Sequence, residues 1–104
     1  MHIGVIQSKD SFYGETNPET MPVETMLHNR WEAYLRAGCL TSEMECATLF
    51  SVGLVRRVRV AAVITAIWNV ERTQKGLSNP VTEDTSRAIH CVIETIRREI
   101  ASKK

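Results

Sequence analysis

The chain has 104 residues, of which 43% are hydrophobic and 24% are charged, and its formal net charge is +1. These values are typical of a single globular domain, residues 1–104, and they exclude an intrinsically disordered chain. The near-neutral charge excludes electrostatic capture of nucleic acid or of an anionic membrane, and the longest apolar run, residues 60–68, is too short to span a bilayer. With no signal-peptide pattern before the first strand, we expect a cytoplasmic protein.

The chain opens with a predicted strand and a predicted loop. Residues 2–8 indicate a short, mostly buried strand, because three of the seven are Ile or Val. Residues 12–18 predict a loop, since glycine and proline interrupt them. Two adjacent aromatic side chains in that loop, Phe12 and Tyr13, allow two interpretations: they plug the edge of the core, or they line a binding site.

A helix is predicted from Met21-Pro22 to about Ala37, because proline is tolerated in a first turn and Gly38 supplies a left-handed stop. Its apolar residues fall on one face at helical spacing, as expected of a surface helix packed on a sheet: Leu27, Trp31, Tyr34 and Leu35.

The segment Ser42-Glu43-Met44-Glu45 follows, where a short extended link turns into a second helix. It fits a capping box, in which Ser42 accepts from a backbone N–H three residues on and Glu45 reaches back to the N–H of Ser42. It equally fits a binding site, because two carboxylates and a thioether stand at a strand-to-helix junction, where α/β proteins tend to hold ligands.

The second half of the chain is strongly apolar. The helix predicted over residues 43–57 is hydrophobic on most faces, so we expect it to be buried on several sides. Residues 58–69 predict a central strand covered on both faces. A polar loop is predicted over 71–83, and a last helix starts at Thr82 or Asp84, with an apolar stripe of Ile89, Val92, Ile93, Ile96 and Ile100.

This order of elements predicts an α/β layered protein. Two or three strands are too few to cover so much two-sided apolar surface, so we expect either an N-terminal portion or another chain, as in a homo-oligomer, to cover it. The cysteines Cys39, Cys46 and Cys91 lack the paired spacing of a zinc site, and we expect them to be buried free thiols.

Three stretches resemble the C-terminal part of the uridine phosphorylases, a group within the nucleoside phosphorylase superfamily: residues 8–14, residues 42–47, and Trp68-Asn69 followed by Glu71-Arg72. The resemblance implies a three-layer α/β/α fold with a mixed, largely buried sheet, of which this chain is the C-terminal part. It implies the reaction of uridine with phosphate to give uracil and ribose 1-phosphate. Phosphate is then a co-substrate, and no other cofactor is expected.

The resemblance also implies roles for individual residues. Glu45 accepts hydrogen bonds from the ribose hydroxyls, Met44 lies against the sugar, and Phe12 stacks on the pyrimidine. Asn69 stands where purine-specific relatives place an acid, so an amide there fits pyrimidines better, and Arg72 lies near the base.

The remaining assignments are Glu43 and Glu15. Glu43, the first residue of the triplet, is assigned to the same pocket and can also serve the helix start. Glu15 takes the place of the glutamine that reads the pyrimidine in the family; a carboxylate can only accept hydrogen bonds, whereas an amide also donates. The base-binding arginine that usually follows has no clear counterpart before Arg30.

The five glycines are isolated, so no glycine-rich phosphate cradle can be assembled from them. In the family that the chain resembles, a glycine-rich loop and arginines of the N-terminal portion hold the phosphate. The resemblance therefore implies that this chain holds the sugar and base side of a pocket and is a truncated phosphorylase, inactive alone. Three alternatives remain: a non-catalytic oligomeric module, a hydrolytic nucleosidase (against which Asn69 in place of an acid speaks), and a helix cap and core with no site.

Overall fold

A computed structural model describes residues 1–103. The chain forms two compact units, of which the first ends at Val60 and the second begins at Ala61. Helices and a small parallel sheet make it broadly α/β, as predicted; the three-layer arrangement and the single domain stay predictions. The elements are β1 (Gln7–Ser8), α1 (Tyr13–Thr16), a 3-10 turn (Pro18–Thr20), α2 (Glu24–Arg36), β2 (Ser42–Glu43), α3 (Cys46–Arg56), α4 (Val70–Gln74) and α5 (Ser86–Ala101).

Strands β1 and β2 pair in parallel, with Gln7 opposite Ser42 and Ser8 opposite Glu43. The backbone N–H of Lys9 extends the ladder by donating to the carbonyl of Glu43 at 2.8 Å. The prediction of a buried strand over residues 2–8 is wrong for its first part, where Ile3 is 94% exposed. A strand persists only where a partner accepts its hydrogen bonds, and β2 is two residues long.

The loop predicted over residues 12–18 contains helix α1 and the start of the 3-10 turn, so that prediction is wrong. The hydroxyl of Ser11 accepts from the backbone N–H of Gly14 at 3.1 Å, which gives the first turn of α1 a local partner. Helix α2 starts at Glu24, a little later than predicted, and ends before Gly38, whose φ of 77° confirms the left-handed stop.

Helix α3 begins at Cys46, three residues later than predicted, because Ser42 and Glu43 belong to β2. It ends at Arg56, and the residue that follows, Arg57, adopts a left-handed φ of 55°. The N–H of Val58 then donates to the carbonyl of Gly53 at 3.0 Å. The prediction that this helix is buried on several sides is wrong for the chain by itself, since five of its apolar residues are 41–80% exposed: Leu49, Phe50, Val52, Leu54 and Val55.

The central strand predicted over residues 58–69 is wrong. Within the described residues, the sheet of β1 and β2 is the only one, and the run from 58 to 69 pairs with neither strand. An apolar, β-branched run predicts a strand only if a partner strand is present to complete the ladder.

In the second unit, α4 replaces the first part of the loop predicted over 71–83. Helix α5 starts at Ser86, after Asp84, whose carboxylate accepts from the N–H of Ser86 at 2.9 Å. The predicted stripe on α5 is present as sequence spacing, and its five side chains are 39–60% exposed. No helix of residues 1–103 combines the length and hydropathy needed to cross a bilayer.

Candidate functional site

The junction between β2 and α3 is organised by the carboxylate of Glu43. One oxygen, Oε2, accepts hydrogen bonds from the backbone N–H groups of Glu45 and Cys46, each at 2.7 Å. These are N–H groups at the start of α3 that the helix itself cannot satisfy. The predicted capping box is therefore wrong: the cap comes from Glu43, and Ser42 is a strand residue that bonds elsewhere.

Glu43 is 9% exposed and is held in its charged form. Burial on its own raises the pKa of this carboxyl, but the Ser8 hydroxyl and the two backbone N–H groups outweigh burial and lower the pKa from 4.5 to about 2. The same charge, added to burial, raises the pKa of the neighbouring Cys46 thiol. Glu43 is thus a fixed anion at the first turn of α3, where the helix dipole favours one.

The next two residues of the triplet lie at the surface. Met44 is 41% exposed, and Glu45 is exposed as well. The Glu45 carboxylate accepts from the N–H of Met44 at 3.1 Å; it does not make the predicted bond to the N–H of Ser42. The junction therefore presents a thioether and a carboxylate to solvent, while the first carboxylate of the triplet is used internally.

On the first unit's other site segment, Lys9, Glu15 and Ser42 form a closed cluster. The Lys9 ammonium lies 2.9 Å from Glu15 Oε2 and donates to the Ser42 hydroxyl at 2.8 Å. The Ser42 hydroxyl donates to the same Glu15 oxygen at 3.1 Å. The side chains of Lys9 and Glu15 are 12% and 10% exposed. Glu15, predicted to face the base, is therefore the partner of a mostly buried lysine.

Phe12 stands next to this cluster, at the residue that precedes α1. Its ring is 42% exposed and packs edge-on against Tyr13, with ring centroids 5.5 Å apart. The Lys9 ammonium lies 6.0 Å from the centroid of the Phe12 ring, at the limit of a cation–π contact. An exposed aromatic face beside a polar cluster can take a stacked ring.

The other two predicted site residues lie together in the second unit. Asn69 caps α4, since its Oδ1 accepts from the N–H of Arg72 at 2.9 Å. The Nε of Arg72 donates to the carbonyl of Ser78 at 2.6 Å, and Asn79 bonds the backbone of Asn69 on both sides. The sequence placed these two residues near a base, and the structure gives both of them local structural partners.

The sequence did not indicate the contacts of three residues that hold this region together: Ser8, Lys9 and Ser42. The Ser8 hydroxyl accepts from the N–H of Ala47 at 3.0 Å, so it anchors α3 from the opposite strand. The signal was available in the sequence, because the polar pair Ser8-Lys9 ends an apolar segment and Ser42-Glu43 ends another. Nothing local indicated that the two pairs lie side by side.

Three N–H groups at the start of α3 already have partners and are not open to an anionic ligand. Glu43 uses those of Glu45 and Cys46, and Ser8 uses that of Ala47. For a metal, no cluster of three or more His, Cys, Asp or Glu side chains occurs among residues 1–103. The chemistry available at the junction is that of hydrogen-bond acceptance by Glu45, next to the apolar side chain of Met44.

No model of a known protein family matches the chain. Individual proteins do: a uridine phosphorylase from Treponema pallidum is 44% identical over 95 residues, which are 91% of this chain and 37% of that protein. Uridine phosphorylases from Escherichia coli and Klebsiella aerogenes are 32% and 33% identical in alignments of 102 residues in length, which cover 93% of this chain and 40% of each relative.

The chain thus spans about two fifths of the length of the curated relatives that it matches. The similarity nevertheless extends over nearly all of its own residues, and it includes both the Phe12 segment and the β2–α3 junction. The chain is therefore a relative of the uridine phosphorylases, and what it matches is their C-terminal part.

Proposed function

We propose that this chain is the nucleoside-binding part of a uridine phosphorylase-type enzyme, which converts uridine and phosphate to uracil and ribose 1-phosphate. The observation that supports the proposal is that the two carboxylates of the Glu43-Met44-Glu45 triplet have different environments. Glu43 caps α3 and is 9% exposed, which leaves the Glu45 carboxylate at the surface beside Met44.

In this proposal Glu45 orients the ribose. The two oxygens of an ionised carboxylate can accept one hydrogen bond from each of two vicinal sugar hydroxyls. The negative charge of the carboxylate strengthens both hydrogen bonds. Met44 supplies a polarisable apolar surface for the sugar carbons. Phe12, with an exposed ring, stacks on the leaving base.

Asn69 and Arg72, both in the second unit, are proposed as base-recognition residues on the resemblance alone. An amide at position 69 provides no acid that could protonate a purine, which suits a pyrimidine leaving group. In the structure its Oδ1 serves the cap of α4, so any contact with a base uses its remaining hydrogen-bonding capacity.

Catalysis by such a site stabilises an oxocarbenium-like sugar while phosphate attacks the anomeric carbon. Three N–H groups at the start of α3, those of Glu45, Cys46 and Ala47, are already bonded to Glu43 and Ser8, and the five glycines are separated in sequence. We propose that the phosphate-binding groups lie outside these residues, which bind nucleoside and do not catalyse phosphorolysis by themselves.

A binding experiment with a matched control tests the ribose assignment. Glu45→Gln removes the charge of the proposed acceptor, and Glu19→Gln removes the charge of another exposed glutamate. We expect uridine binding, followed by ligand-observed NMR, to weaken at least about tenfold in the first variant and to be unchanged in the second. Equal affinity in wild type and Glu45→Gln would remove Glu45 from the proposal.

A second candidate function, an oligomeric assembly module without catalysis, is favoured by one observation. The apolar residues of α3 and α5 are exposed, with Leu54 and Val55 each at 80%. Uncovered apolar surface of this kind is typical of an interface between subunits. Light scattering on the purified chain distinguishes a monomer from a homo-oligomer. This candidate predicts a homo-oligomer, and a stable monomer would rule it out.

A further inference from the structure

We infer that Glu15 is a positioning residue: through its ion pair with Lys9 it holds helix α1, and with it Phe12, at a set place beside the β2–α3 junction. This inference rests on the proposed function, because it concerns how the two proposed nucleoside contacts, Phe12 and Glu45, are held in register. It replaces the direct contact between Glu15 and the base that the sequence suggested.

The first step is that the ion pair is largely removed from water. The two side chains are 12% and 10% exposed, and the Lys9 ammonium lies 2.9 Å from Glu15 Oε2. Ser42 closes the cluster, because it accepts from Lys9 and donates to that same oxygen. A lysine in such a place needs its partner, since a buried charge left unpaired is strongly unfavourable.

The second step is that Lys9 is attached to β2 by both its backbone and its side chain. Its N–H donates to the carbonyl of Glu43 at 2.8 Å, and its ammonium donates to Ser42. Because side chains alternate along a strand, Ser8 and Glu43 share one face of the two-stranded ribbon and serve α3. Lys9 and Ser42 both contact Glu15 of α1. The two-stranded ribbon therefore contacts both α1 and α3.

The third step is that α1 cannot hold its own position. It has four residues, far fewer than an isolated helix needs for stability in water. Its first turn is closed by the carbonyl of Phe12, which accepts from the N–H groups of Glu15 and Thr16, each at 3.1 Å. The backbone of Phe12 is therefore joined to Glu15, and the tether of Glu15 to Lys9 determines where the Phe12 ring stands.

The fourth step concerns what surrounds Glu15. It lines a shallow pocket whose other walls come from β1, its following turn, α1 and α2: Gln7, Lys9, Asp10, Ser11, Gly14, Leu27, Arg30 and Trp31. Phe12, Met44 and Glu45 do not line that pocket. The second oxygen of Glu15, Oε1, is buried and has no hydrogen-bond partner within the described part of the chain. The pocket that Glu15 lines therefore does not include the three residues proposed to contact the sugar and the base.

A double-mutant cycle tests the inference. The variants are Lys9→Met, Glu15→Gln and the combination of both, with Glu19→Gln as the control for an exposed glutamate. Each is measured for urea midpoint, for the chemical shifts of the Phe12 ring, and for the affinity of uridine and of inosine, at a temperature where circular dichroism shows every variant folded.

We expect each single variant to weaken uridine and inosine by the same factor, about tenfold, so that the preference between the bases stays within about twofold. The double variant is expected to recover much of the loss in urea midpoint, because it leaves no unpaired charge. It is expected to bind nucleoside no more weakly than either single variant, because each single substitution already breaks the tether. Glu15→Gln is also expected to move the Phe12 ring signals, which the control leaves in place.

Direct reading of the base by Glu15 gives a different result. Glu15→Gln would then change the preference for uridine over inosine by about tenfold or more, and Lys9→Met would add to it independently. That result, or Phe12 signals unmoved by Glu15→Gln, would overturn the inference. If neither nucleoside binds to the wild type, the proposed function fails, while the urea midpoints and the Phe12 signals still decide whether Glu15 acts through Lys9.

Discussion

Neutralising Glu43 gives the most quantitative prediction, because this carboxylate holds the start of α3. Its Oε2 accepts from two backbone N–H groups at 2.7 Å, and its pKa is lowered from 4.5 to about 2. A group whose pKa is depressed on folding stabilises the folded state above its unfolded pKa, and the contribution is lost as the pH falls toward the folded value. The difference of pKa corresponds to about 3 kcal/mol at pH 7.

The assay is urea unfolding of wild type and Glu43→Gln at several pH values. At pH 7 we expect the variant to be less stable by about 3 kcal/mol, since an amide loses the charge that strengthens the two hydrogen bonds. At pH 3 the carboxyl is almost fully protonated in the unfolded chain and still mostly ionised in the folded one, so the difference falls to less than half of its value at pH 7. Near pH 2 the two proteins approach equal stability.

The matched control is Glu45→Gln, which changes an exposed glutamate two residues away whose carboxylate accepts one bond, from the N–H of Met44. It is expected to change the free energy of unfolding by less than about 0.5 kcal/mol. A difference between wild type and Glu43→Gln that is the same at pH 7 and pH 3 would refute the reasoning, because the effect would then not come from the charge of Glu43.

Three further substitutions test individual contacts by urea unfolding or amide exchange. Arg57→Gly relieves a left-handed φ of 55° at the end of α3 and is expected to stabilise by about 0.5–1 kcal/mol; a loss of stability would contradict this. Gly53→Ala places a methyl group 2.7 Å from Val60 Cγ1 and is expected to destabilise by about 1 kcal/mol, so a neutral result would show that Val60 moves freely. Asn69→Ala removes the cap of α4 and should cost about 1 kcal/mol, seen as faster amide exchange over residues 70–74; unchanged exchange would argue against the cap.

Local chemistry in the sequence predicted the ends of elements well where the signal was local. Gly38 stops α2 at the expected place, with a φ of 77°. The broad α/β class of the fold follows from the order of apolar segments. The sequence also predicts a junction between an extended segment and a helix at residues 42–45, and β2 is followed by α3 there.

The distribution of roles within that junction could not be predicted, because it depends on a partner distant in sequence. Ser42 was expected to cap the helix on the strength of its spacing to Glu45. Pairing of Ser42 with Gln7 makes it a strand residue instead, and the cap passes to Glu43. The cluster of Lys9, Glu15 and Ser42 could not be predicted for the same reason, since Ser42 lies 33 residues from Lys9 in the sequence.

The central strand expected over residues 58–69 failed for a different reason. The hydrophobic pattern indicates that the segment is compatible with a buried strand. A strand forms only when another strand pairs with its backbone hydrogen-bonding groups. In the described part of the chain, β1 is paired with β2 and neither pairs with this run. The apolar faces of α3 and α5 are exposed for a similar reason: their sequence pattern predicts burial, but no packing partner in the described part of the chain covers them.

We propose that this chain holds the nucleoside side of a phosphorylase site and that the groups that bind phosphate lie outside it. One NMR titration tests both halves, with uridine added to the chain in phosphate buffer and the uridine and uracil signals followed in the same sample. We predict saturable uridine binding with no release of uracil. Uracil that accumulates at an ordinary enzymatic rate would contradict the missing phosphate side, and uridine that never shows saturable binding would contradict the nucleoside side.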